Sequence, residues 1–381
     1  MKPETTDTIH DTPISQCLYM AIELSHGKWL LGFTIGFGQA PRLRSIMARD
    51  RKALAEEIDL AKKRFNLAAD IQVRSCYEAG RDGFWLHRYL AAQGIDNRVV
   101  DSASIEVNRR KRRAKTDRLD VRKLLTMLMR YHNGEQKLWS IVHVPSPEEE
   151  DQRQLHRELM ALIAERTRHI NCIKGLLVSQ GVVFPIQTDF LCRLEEVQLW
   201  DGSKLPVGLH ARLAREYERL QVFKQQIREL EHSRVEAVRT SSAPAVEQVR
   251  QLLRLKAIGM NSAWVYVMEF FSWRNFRNRR EVGSLAGLTP TPYRSGESAH
   301  EQGISKAGNR RIRAMAIEIA WVWLRYQPDS QLSIWYRERF AKGNSRVRRI
   351  GIVALARRLL IALWQYLETG VIPAGACLSK P

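Results

Sequence analysis

Four carboxylates stand where a layered α/β sheet could use them to hold a divalent ion. Glu23 lies inside the apolar run CLYMAIEL, and Glu78 closes the run Ile71 to Tyr77. Asp117 and Asp120 are three apart on a predicted helix, so both point to one face. Mg²⁺ or Mn²⁺ takes such hard oxygen donors, leaving positions for water and substrate phosphate. Two such ions can stabilise the attacking and leaving oxygens of a phosphodiester displacement. Each acid also has a plainer reading, since Asp117 follows Thr116 and could start a helix, and an acid at a strand end is often solvated. Glu23 resists that reading, because a carboxylate in an apolar run is costly unless it is paired or metal-bound.

Cations crowd the same region. Arg109, Arg110, Lys111, Arg112 and Arg113, followed by Lys115 and Arg118, place seven positive charges before and among the acids. A charge run is usually a solvated face; next to a candidate phosphodiester site, phosphate binding is the better reading. The whole chain agrees, with 61 Lys and Arg against 41 Asp and Glu, a formal charge of +20 over 381 residues. A polyanionic partner follows from that excess. No run approaches the roughly 18 to 20 consecutive apolar residues of a membrane span, and the opening MKPETTDTIHDTPISQ lacks the apolar centre of a signal peptide. Cys17, Cys76, Cys172, Cys192 and Cys377 are scattered without a CxxC pair, which predicts reduced thiols and a cytoplasmic protein.

The acids need a scaffold. Cys17 to Glu23 and Trp29 to Ile35 read as a β-hairpin. A helix over Arg51 to Leu67 carries Leu54, Ile58 and Ala61 on one face. A strand at Ile71 to Tyr77, a helix at Phe84 to Gln93, a strand around Val99 and a helix from Thr116 to His132 complete an α/β order that suits a ribonuclease-H-like sheet. Beyond Pro145 the chain turns helical, opening on Pro-Ser-Pro-Glu-Glu-Glu-Asp. In a helix from Leu209 to Arg239, Leu213, Leu220 and Ile227 repeat every seven residues with Phe223 and Leu230, a short coiled-coil signature. That seam serves either self-association or packing on the preceding helix. After a break at Ser241 to Pro244, two helices flank Ile258-Gly259-Met260, and Gly287 to Gly308 is predicted to be largely loop. Helices resume over Arg310 to Trp323 and Val347 to Leu367. The expected domains are a tail (1–16), an α/β domain (17–144), a helical coiled-coil region (145–243), a mainly helical domain (244–370) and a tail (371–381).

These residues resemble a known family. YMAIELSHGKW, YEAGRDGFWLHRYL and KTDRLDVRKLL in the first half, and LKAIGMNSAWVYVMEF, FRNRREVGSLAGLTPTPYRSGES and GISKAGNRRIRAMAIEIAW in the second, are similar to the DEDD-type insertion-sequence transposases, the bridge-RNA-guided recombinases related to Piv invertases. The likeness runs from about Cys17 to Leu367. It implies a RuvC-like N-terminal domain, a helical C-terminal transposase domain, DNA as donor and target, a guide RNA, and a homo-oligomer, dimer or tetramer. The family's acidic tetrad maps onto Glu23, Glu78, Asp117 and Asp120, and its nucleophilic serine onto Ser295 in Tyr293-Arg294-Ser295-Gly296. Family members generally carry Asp where this chain has Glu23, one methylene longer.

A serine ester would conserve the phosphodiester energy needed to rejoin strands. Outside this motif a Ser-Gly pair is ordinarily a turn, and Ser298 and Ser305 are the rival serines nearby. Lys306, Asn309, Arg310, Arg311 and Arg313 precede or open a helix and would suit phosphate contacts, or form an exposed basic face. Besides an RNA-guided recombinase, two readings stay open: a RuvC-like junction nuclease in which water attacks, and a nucleic-acid-binding protein without catalysis.

Overall fold

The computed structural model describes residues 17–80, 83–105, 116–295 and 298–379. The chain divides into two compact units, Met1–Pro145 and Ser146–Pro381.

In the first unit the elements are β1 (Leu18–Glu23), β2 (Lys28–Thr34), β3 (Arg42–Met47), α1 (Arg51–Arg64), β4 (Val73–Glu78), α2 (Trp85–Ala92), β5 (Asp96–Val100) and α3 (Asp117–His132). They form one mixed sheet of order β3-β2-β1-β4-β5. β2 runs antiparallel to both β1 and β3, while β1, β4 and β5 are parallel. Both faces are covered. Leu18, Met20 and Ile22 pack with Leu54 and Ile58 of α1 and Leu86 and Leu90 of α2, while Tyr19, Ala21, Cys76 and Val100 pack under Val121, Leu124, Leu125 and Leu128 of α3. That double burial is why β1 reads as an unbroken apolar run rather than an alternating one. β3 was not expected. Its sequence RLRSIM buries only Ile46, as a charged edge strand does, and so carries no hydrophobic signal.

The second unit contains α4 (Pro147–Asp151), α5 (Gln154–Val178), α6 (Phe190–Leu194), α7 (Val207–Thr240), α8 (Pro244–Leu253), α9 (Met260–Tyr266), α10 (Arg279–Leu285), β6 (Pro290–Ser295), β7 (Ser298–Ile304), α11 (Arg310–Tyr326), α12 (Gln331–Tyr336) and α13 (Ser345–Thr369). α9 and α12 each run on as a π-helical turn, over Val267–Phe271 and Arg337–Ala341. Ser146 opens α4 through a capping box: its Oγ accepts from Glu149 N at 3.1 Å and its N donates to Glu149 Oε2 at 2.8 Å.

α5 and α7 form a helical hairpin. Leu213, Tyr217 and Leu220 are buried with Ile173 and Leu177 of α5 and with Phe190 and Leu194 of α6. Phe223 stacks on His169 with ring centroids 5.2 Å apart. Over Leu213 to Phe223 the heptad seam therefore packs on the chain's own preceding helix. α13 is long and apolar enough to cross a membrane by length and composition, but Ile352, Leu355, Leu359, Leu360 and Leu363 belong to the core it shares with α8, α9 and α11.

The segment Gly287 to Gly308 departs from expectation. Instead of being mainly loop, it holds the antiparallel ribbon β6–β7, in register from Pro290 opposite Ile304 to Ser295 opposite Ser298, with an irregularity between Pro290 and Pro292. A two-stranded ribbon has an outer edge on each strand, where a missing proline N–H costs no ladder bond. The prolines and glycines that read as loop are compatible with it for that reason.

Candidate active site and nucleic-acid interface

The sheet sets two of the four carboxylates, Glu23 and Glu78, side by side at the ends of neighbouring strands. Ile22 of β1 pairs with Tyr77 of the parallel β4, so Glu23 and Glu78 end neighbouring strands at the same level. By alternation Glu23 follows Tyr19 and Ala21, and Glu78 follows Cys76, onto the face that α3 covers. α3 runs antiparallel to β1. A Cβ on Gly32, which pairs with Ala21, would lie 2.3 Å from Val121 Cγ1 near the start of the helix. Leu124 O lies 3.8 Å from Cys76 Sγ, and the His132 ring near its end lies 6.1 Å from that of Tyr19. The first turn of α3, with Asp117 and Asp120, consequently overhangs the strand ends that carry Glu23 and Glu78. Thr116 supplies the helix cap, its Oγ1 accepting from Leu119 N at 3.4 Å, so neither aspartate is consumed in that role. Asp117 is exposed; Asp120, Glu23 and Glu78 are half-buried.

As donors these are hard carboxylate oxygens, the type that Mg²⁺ and Mn²⁺ take. Among the described residues no three His, Cys, Asp or Glu side chains stand close enough to hold an ion by themselves. Arg118 is exposed in the same turn of α3. Arg109, Arg110, Lys111, Arg112, Arg113 and Lys115 lie outside the described residues.

In the second unit Ser295 is the last residue of β6, directly across from Ser298, the first of β7. The ribbon that carries both is clamped at its base. Ser305 N donates to Thr289 O at 2.9 Å, Lys306 N to Gly287 O at 3.2 Å and Asn309 N to Leu285 O at 2.8 Å. Two glycines make this possible. Gly287 has φ +69 and a Cβ there would lie 2.1 Å from Ala307 O; Gly308 has φ +97 and its Cβ would lie 2.2 Å from Leu285 O. The motifs GLTP and ISKAG are thus the two sides of a rigid base, and Ser295 sits at the far end of the ribbon they support. Ser305 belongs to the base, not to the tip.

The polar and basic residues that follow divide into two groups. Arg313 Nη1 donates to Lys306 O at 2.9 Å and to Ala286 O at 3.4 Å, tying the clamp together. Asn309 caps α11, its Oδ1 accepting from Arg311 N at 2.9 Å and Ile312 N at 3.2 Å. Lys306, Arg310 and Arg311 are exposed.

Glu269, which sequence reasoning missed, anchors this arrangement. It lies in the π-helical turn after α9 and is 1% exposed. Its Oε1 accepts from Arg157 Nε at 2.6 Å and lies 2.9 Å from His156 Nε2; its Oε2 accepts from Arg157 Nη2 at 3.0 Å and from Asn309 Nδ2 at 3.5 Å. Arg311 Nη1 stands 3.9 Å from Oε1. Burial raises the Glu269 carboxyl, but the hydrogen bonds and positive charge of His156 and Arg157 outweigh it and hold the group well below the usual carboxylate range. One carboxylate thereby joins α5, the core and the cap of α11. The signal was present in the sequence, an acid inside the apolar run VYVMEFF, the same pattern that singles out Glu23.

Residues 249–334 match the family described as "Transposase IS116/IS110/IS902 family". That segment holds Glu269, both clamping glycines and Ser295. Along nearly its whole length the chain is similar to the Sinorhizobium fredii protein described as "Putative transposase y4rJ", 42% identical over 377 residues, which are 96% of this chain and 95% of the relative. It is also similar to the transposase for insertion sequence element IS1328 of Yersinia enterocolitica, 27% identical over 237 residues, 61% of this chain and 68% of the relative. The transposase for insertion sequence element IS1111A of Coxiella burnetii is 24% identical over 230 residues, 58% of this chain and 59% of the relative.

Proposed function

The chain belongs to the IS116/IS110/IS902 transposase family, and on that premise we propose that it cuts and rejoins DNA through Ser295, at sites chosen by base pairing to a guide RNA. The serine assignment rests on the resemblance of Tyr293-Arg294-Ser295-Gly296 to the family's motif, and the ribbon is compatible with it: Ser295 ends β6 at the tip of a hairpin whose base is held by Gly287, Gly308 and Arg313. A nucleophile on a rigid support keeps its attack geometry, which is worth far more to rate than its intrinsic reactivity. In the reaction the Ser295 hydroxyl oxygen bonds to phosphorus, a phosphorus–oxygen bond to one deoxyribose breaks, and the serine proton leaves while the released sugar oxygen gains one. Attack by a hydroxyl of another strand reverses the exchange and frees Ser295. The phosphodiester count is unchanged, so no external energy source is needed.

The first unit takes the RuvC-like, ribonuclease-H-like role in this reading. Its support is the mixed sheet with hairpin strands on one side and parallel strands on the other, and the placing of Glu23 and Glu78 at neighbouring strand ends on the face that α3 covers. Glu23, Glu78, Asp117 and Asp120 would hold Mg²⁺ or Mn²⁺ there in company with nucleic-acid phosphate, the usual manner for Mg²⁺, which seldom has an all-protein cage. When bound, the ion would supply charge neutralisation at the phosphate. The guide RNA rests on the resemblance of the sequence motifs and on the +20 charge. Strand exchange between two duplexes needs more than one nucleophile, so the working form is a homo-oligomer, dimer or tetramer.

The test is to incubate the protein with its element's RNA and a junction DNA and look for a covalent protein–DNA adduct. Wild-type and Ser298→Ala proteins are expected to form it and Ser295→Ala to lose it. Strand joining by Ser295→Ala at the wild-type rate would overturn the assignment. Metal-dependent cleavage with no adduct in any variant would instead favour a junction nuclease in which water attacks at the carboxylate edge.

A further inference from the structure

The bend between α12 and α13 is unusually tight and unusually basic. A Cβ on Gly351 would lie 2.4 Å from Phe340 Cγ, and one on Gly343 would lie 2.4 Å from Val347 Cγ1. The Phe340 ring meets Trp335 edge-on at 5.4 Å and Tyr336 at 5.9 Å. Asn344 Oδ1 accepts from Val347 N at 3.0 Å to cap α13, and Tyr336 Oη donates to Arg348 O at 3.4 Å. These contacts fix the backbone from the end of α12 to the second turn of α13. On the outside of this elbow Arg337, Arg339, Lys342, Arg346, Arg348 and Arg349 are all exposed, and the one acid in the segment is Glu338.

Such crowding has an electrostatic cost. Burial first, and then the positive charges of Arg339 and Arg357, push the nearby Arg358 guanidinium below its ordinary value. A rigid surface that holds like charges together is matched to a polyanion. The aromatic residues decide which kind. Tyr336 is buried, Phe340 is half-buried against Gly351, and the Trp335 ring is covered by the Arg358 guanidinium at 4.1 Å. Proteins that bind single strands offer ring faces on which bases stack, and these three rings are buried, half-buried or covered by a guanidinium. What remains is a row of guanidiniums suited to phosphates of a duplex, Arg346 and Arg349 lying one turn apart on α13.

We propose that the α12–α13 elbow is a docking surface for the sugar-phosphate backbone of duplex DNA. It lies in the second unit, beyond the segment 249–334 that matches the family. The choice of DNA rests on the family membership; nothing in it depends on Ser295.

The experiment measures fluorescence anisotropy of three labelled probes of arbitrary sequence, a DNA duplex, an RNA duplex and single-stranded DNA, titrated with the full-length protein over a salt series. The variants are the pairs Arg346→Glu with Arg349→Glu, Arg346→Gln with Arg349→Gln, and Arg346→Lys with Arg349→Lys, each checked for native circular dichroism. Charge reversal or neutralisation is expected to weaken DNA-duplex binding on the order of tenfold and to flatten the dependence of log affinity on log salt by roughly 0.9 for each phosphate that is no longer neutralised. The lysine pair should restore both. The milder glutamine pair decides the matter if the reversed pair does not fold. Unchanged duplex affinity in a natively folded variant would overturn the proposal, as would a loss confined to the RNA duplex or to single strands. The readout is equilibrium binding to probes of arbitrary sequence and involves no strand transfer, which keeps this result separable from any failure of the serine assignment.

Discussion

His156 and Glu269 are 113 residues apart in the chain, yet His156 Nε2 lies 2.9 Å from Glu269 Oε1 in the interior of the second unit. Arg157 completes the grip on the same carboxylate, and Asn309 carries it on to the start of α11. A buried charge is tolerable only while its partners are in place, so this contact is the point at which α5 is tied to the base of the β6–β7 ribbon.

Glu269→Ala leaves the buried His156 and the half-exposed Arg157 without their common acceptor and is expected to cost about 1–3 kcal/mol, the usual penalty for leaving buried polar groups unsatisfied. Denaturant unfolding of the variant against wild type measures it. A loss below about 1 kcal/mol, within the range of ordinary substitutions, would show that the hub is not a structural anchor.

The same carboxylate sets an acid limb. Its folded-state pKa is depressed relative to the unfolded chain. Its stabilising contribution is therefore complete above the unfolded value near about 4.3, and is lost as pH falls below that towards the depressed folded value. Unfolding free energy measured from neutral pH downwards should fall more steeply for wild type than for Glu269→Gln below about pH 4.3, with parallel curves above it. Parallel curves throughout would remove Glu269 from the acid response.

Asp117 is exposed and does not cap its helix. Asp117→Ala is expected to abolish strand transfer while changing unfolding free energy by no more than about 0.5 kcal/mol, the range for a surface position. Asp120→Ala should abolish transfer as well. Full activity in either variant would exclude that residue from the site.

Gly308→Ala forces a side chain into φ +97 and against Leu285 O. The ribbon base must then shift, and displacement of a nucleophile by about an ångström lowers rate on the order of a hundredfold. Adduct formation is expected to fall by that order while DNA affinity stays at the wild-type value. Wild-type adduct rates in a folded Gly308→Ala protein would show that the clamp does not position Ser295.

Leu220 is fully buried against α5 and α6. Leu220→Ala is expected to cost about 2–5 kcal/mol through the cavity it leaves. Near-neutral stability would mean that the seam is not closed within one chain.

Much of this protein is legible without a structure because the signals are local. The apolar run of β1, the 3.6-residue spacing of Leu54, Ile58 and Ala61, and the Ser-Pro-Glu-Glu opening of α4 each follow from the immediate neighbours of the residues concerned. Charge excess is likewise a property of composition, and the KTDRLD and GLTPTPYRSG motifs carry the likeness to the family on their own. β3 was invisible because an edge strand with one buried residue has no hydrophobic period. The β6–β7 ribbon was hidden by prolines and glycines that belong equally to loops. The seam of α7 was legible as a seam, but its partner was not: seven-residue spacing specifies an apolar stripe, and only packing decides which helix covers it. Glu269 is the clearest case of the difference. An acid in an apolar run announces a buried charge, yet its partners His156, Arg157 and Asn309 come from far along the chain. Sequence determined that some cation must meet that carboxylate, because an uncompensated charge cannot stay buried; which one does so was decided by the way α5 lies on the core.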